Sequence, residues 1–192
     1  MVYAFLLSFG VIFIAELGDK SQLMAMTLAS RYKPWPILAG ITVATATIHA
    51  ASVLIGSIAG QSLSTDWITL VAGIAFIGFA GWTLRGDTLT SDDEAAAARA
   101  RRSAFITATI VFFIAELGDK TMLATITLAT REGMFGTWLG STVGMVAADA
   151  LAIGIGALLG RNLPERVIRI GASSLFMIFG ALLIIEGIQA LA

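Results

Sequence analysis

The chain has 192 residues, 57% hydrophobic and 13% charged, with a net charge of -1 and a mean hydropathy of +0.89. A soluble domain carries about 25% charged residues, so this is membrane composition. The charge balance excludes a basic surface for nucleic acid, and the absence of cysteine excludes disulfides, cysteine-based zinc sites and thiol catalysis.

About 20 apolar residues are needed to cross a bilayer core. Six stretches meet that need, at 2–30, 37–60, 67–84, 104–130, 135–160 and 167–192, which predicts an all-α membrane protein with six transmembrane helices. The first and fourth are longer than required, as a broken or tilted helix would be. The first lacks a basic leader region and has an internal counterpart at 105–130, so it is not expected to be a signal peptide. Arg31-Tyr32-Lys33-Pro34-Trp35-Pro36 reads as an interfacial turn, with Trp35, Trp67 and Trp138 marking interfaces. The one sizeable connector is 85–103. Within it Ser91-Asp92-Asp93-Glu94 reads as a capping box, followed by a short linker helix at 95–102.

Ala15-Glu16-Leu17-Gly18-Asp19-Lys20 returns 100 residues later as Ala115-Glu116-Leu117-Gly118-Asp119-Lys120. Each copy sits inside an apolar run, where two carboxylates and an ammonium cost several kcal/mol and so need partners or a function. On one continuous helix, Glu and Asp three apart share a face, and Glu and Lys four apart can pair. Gly18 can instead stop the helix and Asp19 start a new one, leaving free backbone groups beside carboxylates, which is how many transporters build an ion site.

The repetition runs further. Thr27-Leu28-Ala29, Arg31, Gly40, Thr42, Val43, Gly56 and Gly60 all return 100 residues on, and Ile68, Ala72, Phe76 and Phe79 match Ile168, Ala172, Phe176 and Phe179 on one helical face. The chain therefore reads as two three-helix repeats, 1–84 and 104–192, joined by a linker at 85–103. Three helices per repeat place the copies in opposite orientations. Nine basic residues then fall in the links after the first, third and fifth stretches, and Arg131 alone falls on the other side. That bias places the 85–103 loop in the cytoplasm and both termini outside.

A doubled E-x-G-D-[K/R]-[S/T] motif resembles the GDT-type family of membrane cation/proton exchangers. Here it reads Glu16-Leu17-Gly18-Asp19-Lys20-Ser21 and Glu116-Leu117-Gly118-Asp119-Lys120-Thr121. Members occur in Golgi, chloroplast and bacterial membranes and are associated with manganese and calcium. The resemblance covers nearly the whole chain and implies a cation/H+ antiporter in which the motif carboxylates bind the metal.

If the halves pack about a pseudo-two-fold axis, Glu16, Asp19, Glu116 and Asp119 meet, and Ser21, Thr121 and Gln22 add neutral oxygens. Such a set suits hard divalent cations. Four carboxylates and two lysines leave an excess that one divalent cation cancels. In its absence crowded carboxylates hold protons, so that metal and protons compete for the same oxygens. Lys20 and Lys120 are alternatively internal cations that fill the empty site. His49 and Asp149 occupy equivalent positions and, with Lys20 and Lys120, are candidates for gating or a proton relay. Met24, Met26 and Met122 read chiefly as packing, and Glu186 as reaching the outer interface.

The reading is a secondary transporter exchanging a divalent cation, Mn2+ before Ca2+, for protons and exporting it from the cytoplasm of a bacterial inner membrane. The alternative is a proton-coupled exporter of a small organic solute such as an amino acid. A channel is disfavoured by lysines in the pathway, and no enzyme activity or cofactor is expected, the metal being cargo. The expected partners are the metal ion, protons and the lipid bilayer, with no nucleic acid and a homodimer left open.

Overall fold

The computed structural model describes residues 1–62, 64–85, 103–159 and 165–191. Among the described residues there are eight α-helices and no strand: α1 (Val2–Glu16), α2 (Lys20–Ala29), α3 (Pro34–Ser62), α4 (Thr65–Arg85), α5 (Ala104–Glu116), α6 (Lys120–Ala129), α7 (Met134–Leu159) and α8 (Glu165–Leu191). The capping box at Ser91 and the linker helix at 95–102 lie outside the described residues.

The all-helical expectation holds, and the six spans are met in part. Pro34–Ser62, Asp66–Arg85, Met134–Ile155 and Ile170–Leu191 are long and apolar enough to cross a membrane, and the α1–α2 pair makes a fifth if counted as one bent span. The 104–130 stretch is divided into α5 and α6, and α5 has 13 residues, short of the ~20 that a straight span needs.

Both breaks have the same cause. Gly18 and Gly118 adopt φ of 77° and 81°, a left-handed conformation that costs a residue with a Cβ about 1–2 kcal/mol. Asp19 and Asp119 follow in extended conformation as the first caps of α2 and α6. The α1–α2 axis turns by 76° there. The glycine stop and aspartate restart are thus as the sequence suggested. The shared helical face for Glu16 and Asp19, and the i, i+4 spacing of Glu16 and Lys20, are not: the break puts the glutamates at the ends of α1 and α5 and the lysines at the starts of α2 and α6.

Each half's long second helix packs on the other half's first helix. On α7, Gly136, Gly140 and Gly144 lie in turn against Met1–Phe5, Phe5 and Phe9–Phe13, so α1 and α7 run side by side in the same direction. A Cβ on Gly144 would stand 2.7 Å from the Phe9 carbonyl oxygen. Gly40 plays the same part between α3 and α5, where a Cβ would stand 2.6 Å from the Phe105 carbonyl oxygen. Backbones this close gain dispersion contacts that lipid cannot match.

α3 and α7 cross antiparallel. Thr45 Oγ1 meets Met145 Sδ at 3.5 Å, Trp138 Nε1 donates to the Ala46 carbonyl at 2.9 Å, and Thr142 Oγ1 lies 3.5 Å from His49 Nδ1. Trp138 is thereby a tie between helices rather than only an interface marker. α4 and α8 form a third layer. Phe76 and Phe176, equivalent in the two halves, pack with ring centroids 5.8 Å apart and planes tilted by 56°, with Phe79 and Phe179 completing the cluster. The backbones of α4 and α8 meet along Gly73, Gly180 and Gly187, while the face predicted from the repeat, with Ala72, Phe76, Phe79 and Phe176, packs into the core against Ile12, Ala15, Leu128 and Met145.

Candidate metal and proton site

Where the two breaks meet, five carboxylic side chains are buried within the bundle: Glu16, Asp19, Glu116, Asp119 and Asp149. Glu16, Asp19 and Glu116 each bring one carboxylate oxygen within 4.8 Å of the others. A cation holding oxygens at about 2.3–2.6 Å has opposite ligands about 4.6–5.2 Å apart, so these three can close on one ion. Among the described residues Asp119 is not in that group; it pairs instead with Lys20, Oδ1 to Nζ at 3.7 Å. The matching pair is Lys120 with Asp19. The lysines therefore cross between the halves, each reaching the aspartate of the other motif.

The hydroxyls after each motif turn back on its glutamate. Ser21 Oγ donates to Glu16 Oε1, and Thr121 Oγ1 donates to Glu116 Oε2 at 3.1 Å. Each contact orients one oxygen and leaves the other, Glu16 Oε2 or Glu116 Oε1, buried without a hydrogen-bond partner among the described residues. Gln22, expected to offer an oxygen to a metal, uses its Oε1 to accept from the Gly18 N–H at 2.8 Å, and its Nε2 donates to the Ala148 carbonyl at 3.0 Å. Met122 takes the equivalent place, its sulfur accepting from Gly118 N–H at 3.2 Å. These two side chains cap the broken ends. Nothing in the sequence flagged that role, since Gln and Met share no pattern. Met24 lies in an apolar cluster with Leu28, Ile37 and Phe112.

Asp149 joins the site and His49 faces elsewhere. Asp149 is fully buried, neither of its oxygens has a hydrogen-bond partner among the described residues, and it acts electrostatically on Glu16, Glu116 and Asp19. Gln22 ties α2 to α7 beside it through Ala148. His49 is equally buried and sits against Thr142.

Comparison with known proteins bears on what this cluster serves. The family described as "Divalent cation/proton antiporter GDT1" matches the chain twice, at residues 4–91 and 104–191. The chain belongs to this family. It is 36% identical over 175 residues to a "Putative manganese exporter" of Vibrio cholerae, with 90% of the chain and 86% of that protein covered. It is 26% identical to GDT1-like protein 5 of Arabidopsis thaliana, with 94% of each covered, and 27% identical to GDT1-like protein 4 of the same plant, with 99% of each covered. Comparison with the solved structures finds no match. A GDT1 member is a membrane transporter and not an enzyme, and a divalent cation is its cargo rather than a cofactor. The family model matches the two halves separately, each match holding one copy of the motif.

Proposed function

We propose that this GDT1 protein exchanges Mn2+ for protons and moves the metal out of the cytoplasm, with Ca2+ as a second substrate. The observation that carries the reading is the triangle of Glu16, Asp19 and Glu116 oxygens within 4.8 Å of one another, drawn from both motifs. All-oxygen coordination suits Mn2+ and Ca2+ over softer ions. The Vibrio cholerae relative's name supports manganese and export.

In this reading the chain is two inverted three-helix repeats, 1–84 and 104–192, with the 85–103 linker in the cytoplasm and both termini outside. The antiparallel crossing of α3 and α7 and the basic-residue bias support it. Glu16, Asp19 and Glu116 are the first ligands, and Asp119 joins as the ion moves between halves. Ser21 and Thr121 hold the glutamates in place. Lys20 and Lys120 occupy the aspartates when no metal is bound, and the metal displaces them.

Asp149 alters the charge balance. Five carboxylates against two lysines leave three negative charges when all are ionised. One divalent cation and one proton neutralise that excess, and the same oxygens cannot hold metal and protons together. Asp149 relays the proton, and His49 gates its counterpart position. The test is Mn2+ uptake into proteoliposomes under an imposed pH gradient. Proton movement driven by Mn2+ supports exchange, whereas no Mn2+ flux combined with proton-driven movement of an amino acid overturns it.

A further inference from the structure

Helical serine and threonine usually return their hydroxyl to the carbonyl one turn back. Thr27, Thr42, Thr47, Ser52, Thr109 and Thr127 all do so here. Ser8, Thr125, Thr137 and Ser141 do not: each is fully buried, and its hydroxyl oxygen has no hydrogen-bond partner among the described residues. A buried, unmatched hydroxyl costs about 1–3 kcal/mol; among the described residues Thr83, near the end of α4, is a fifth, and the four carried by α1, α6 and α7 call for a use.

Their positions share a direction. Ser8 stands two turns before Glu16 on α1, with Ile12 between. Thr125 stands one turn beyond Thr121 on α6. Thr137 and Ser141 lead by one-turn steps through Met145 to Asp149 on α7. The three helices pack on one another pairwise. All four hydroxyls lie between the carboxylates and the end of the molecule where Met1 meets Gly136 and Gly60 meets Thr130. On that same side lies a cavity of about 320 Å3, lined by Tyr3, Leu7, Phe76, Thr127 and Leu128; none of the four hydroxyls lines it, and Leu7 and Thr127 are near neighbours of Ser8 and Thr125 in the chain. At its mouth Arg131 Nη2 pairs with Glu186 Oε1 at 2.9 Å.

The repeat makes the comparison internal. One hundred residues away, the counterparts of Ser8, Thr125, Thr137 and Ser141 are Ala108, Ala25, Ile37 and Ile41. All four are buried in one apolar cluster, closed by Phe112 and Met24. The same positions are polar on the approach from the termini and dry on the opposite approach.

We propose that Ser8, Thr125, Thr137 and Ser141 line a one-sided half-path, lending their hydroxyl oxygens to a divalent cation as it sheds water between the cavity and the carboxylates. The opposite half-path has no such ligands and is sealed by the Ala25, Ile37, Ile41 and Ala108 cluster. The proposal rests on the reading of the motif carboxylates as the metal site.

The chain has no cysteine, so single cysteines report without background. In detergent, where both ends of the protein meet solvent, Ser141→Cys and Thr125→Cys should react with a small charged thiosulfonate, and Ile41→Cys and Ala25→Cys should not. Excess Mn2+ should slow the first pair. The near-isosteric Thr125→Val/Ser141→Ala variant should leave equilibrium Mn2+ binding unchanged and slow Mn2+ flux about tenfold, as expected for losing one hydrogen bond or more to a charge. A melting temperature at or above the parent's confirms that the variant is folded. Equal labelling of both cysteine pairs, or parental flux in the double variant, overturns the half-path. Failure of the parent protein to bind Mn2+ overturns the metal reading instead, and the labelling contrast still decides whether the path is one-sided.

Discussion

Lys120 of the second motif is ion-paired with Asp19 of the first, and its side chain is 4% exposed. The equivalent pair, Lys20 with Asp119, is 3.7 Å apart, and its lysine is 23% exposed. The motifs are identical over these six residues, yet the two ion pairs that join the halves differ in burial. Near-symmetric sequence has given an asymmetric cluster, with one aspartate in the triangle of carboxylates and the other outside it.

That asymmetry sets the order of stability among the aspartate variants. Removing one partner of a buried pair strands the other charge, at a cost of about 3–5 kcal/mol. Asp19→Asn takes from the buried Lys120 its ion-pair partner, leaving Glu16 and Asp119 to act on it, and should lower the melting temperature in detergent clearly. Asp119→Asn leaves Lys20 a route to solvent and should cost less than half as much. Asp19→Asn/Lys120→Met should recover most of the loss. Equal destabilisation by the two aspartate variants would show that the pairs do not differ in solution.

The glycine at each break makes a separate claim. A Cβ on Gly118 would meet no atom within 4 Å, so Gly118→Ala tests its φ of +81° alone. The expected cost is about 1–2 kcal/mol, and less for Gly118→Asn, since asparagine visits this conformation more readily. Gly78→Ala is the control. It also adds a Cβ in open space but at ordinary helical φ, and should be neutral or stabilising by up to about 1 kcal/mol. Melting curves for the three variants settle it. If Gly118→Ala is as harmless as Gly78→Ala, the break does not depend on that glycine.

The helices, the repeat and the breaks were legible because each rests on local chemistry: apolar length, a 100-residue echo, and Gly-Asp within an apolar run. The meeting of Glu16, Asp19 and Glu116 followed from symmetry once the halves were taken to pack together. What could not be read depends on which helix each side chain faces. Spacing within one helix suggested Glu16 with Lys20, and the break redirected Lys20 to Asp119. Gln22 looked like an oxygen donor to metal and is occupied by Gly18 and Ala148. The unmatched hydroxyls of Ser8 and Ser141 look in sequence like any helical serine. Only packing separates them from Ser52, which bonds its own backbone.

Orientation is tested by the Ser64 and Ser91 positions. The basic-residue bias predicts a cytoplasmic 85–103 linker and an external link between α3 and α4. In intact cells an impermeant thiol reagent should label Ser64→Cys and spare Ser91→Cys until the membrane is permeabilised. Labelling of Ser91→Cys from outside would invert the proposed direction of transport along with the topology.

The ligand triangle makes the sharpest demand on the metal reading. Glu16→Gln and Glu116→Gln keep size and remove one charged oxygen each from opposite halves. Each should weaken equilibrium Mn2+ binding by more than about a hundredfold, beyond the ~10–100-fold that residues supporting a ligand usually contribute. Ser21→Ala and Thr121→Val remove only the hydroxyl that orients each glutamate, and should fall within that supporting range. Asp119→Asn should keep binding to within about tenfold, because Asp119 lies outside the triangle, while slowing flux if it receives the ion during exchange. Titration of purified variants with Mn2+, alongside flux in proteoliposomes, separates the two effects. If Glu116→Gln binds Mn2+ as the parent does, the halves do not share one site and the first motif alone holds the ion. If Asp119→Asn abolishes binding as fully as Glu16→Gln, all four motif carboxylates close on the metal at once, and the asymmetry of the two aspartates belongs to the metal-free protein only.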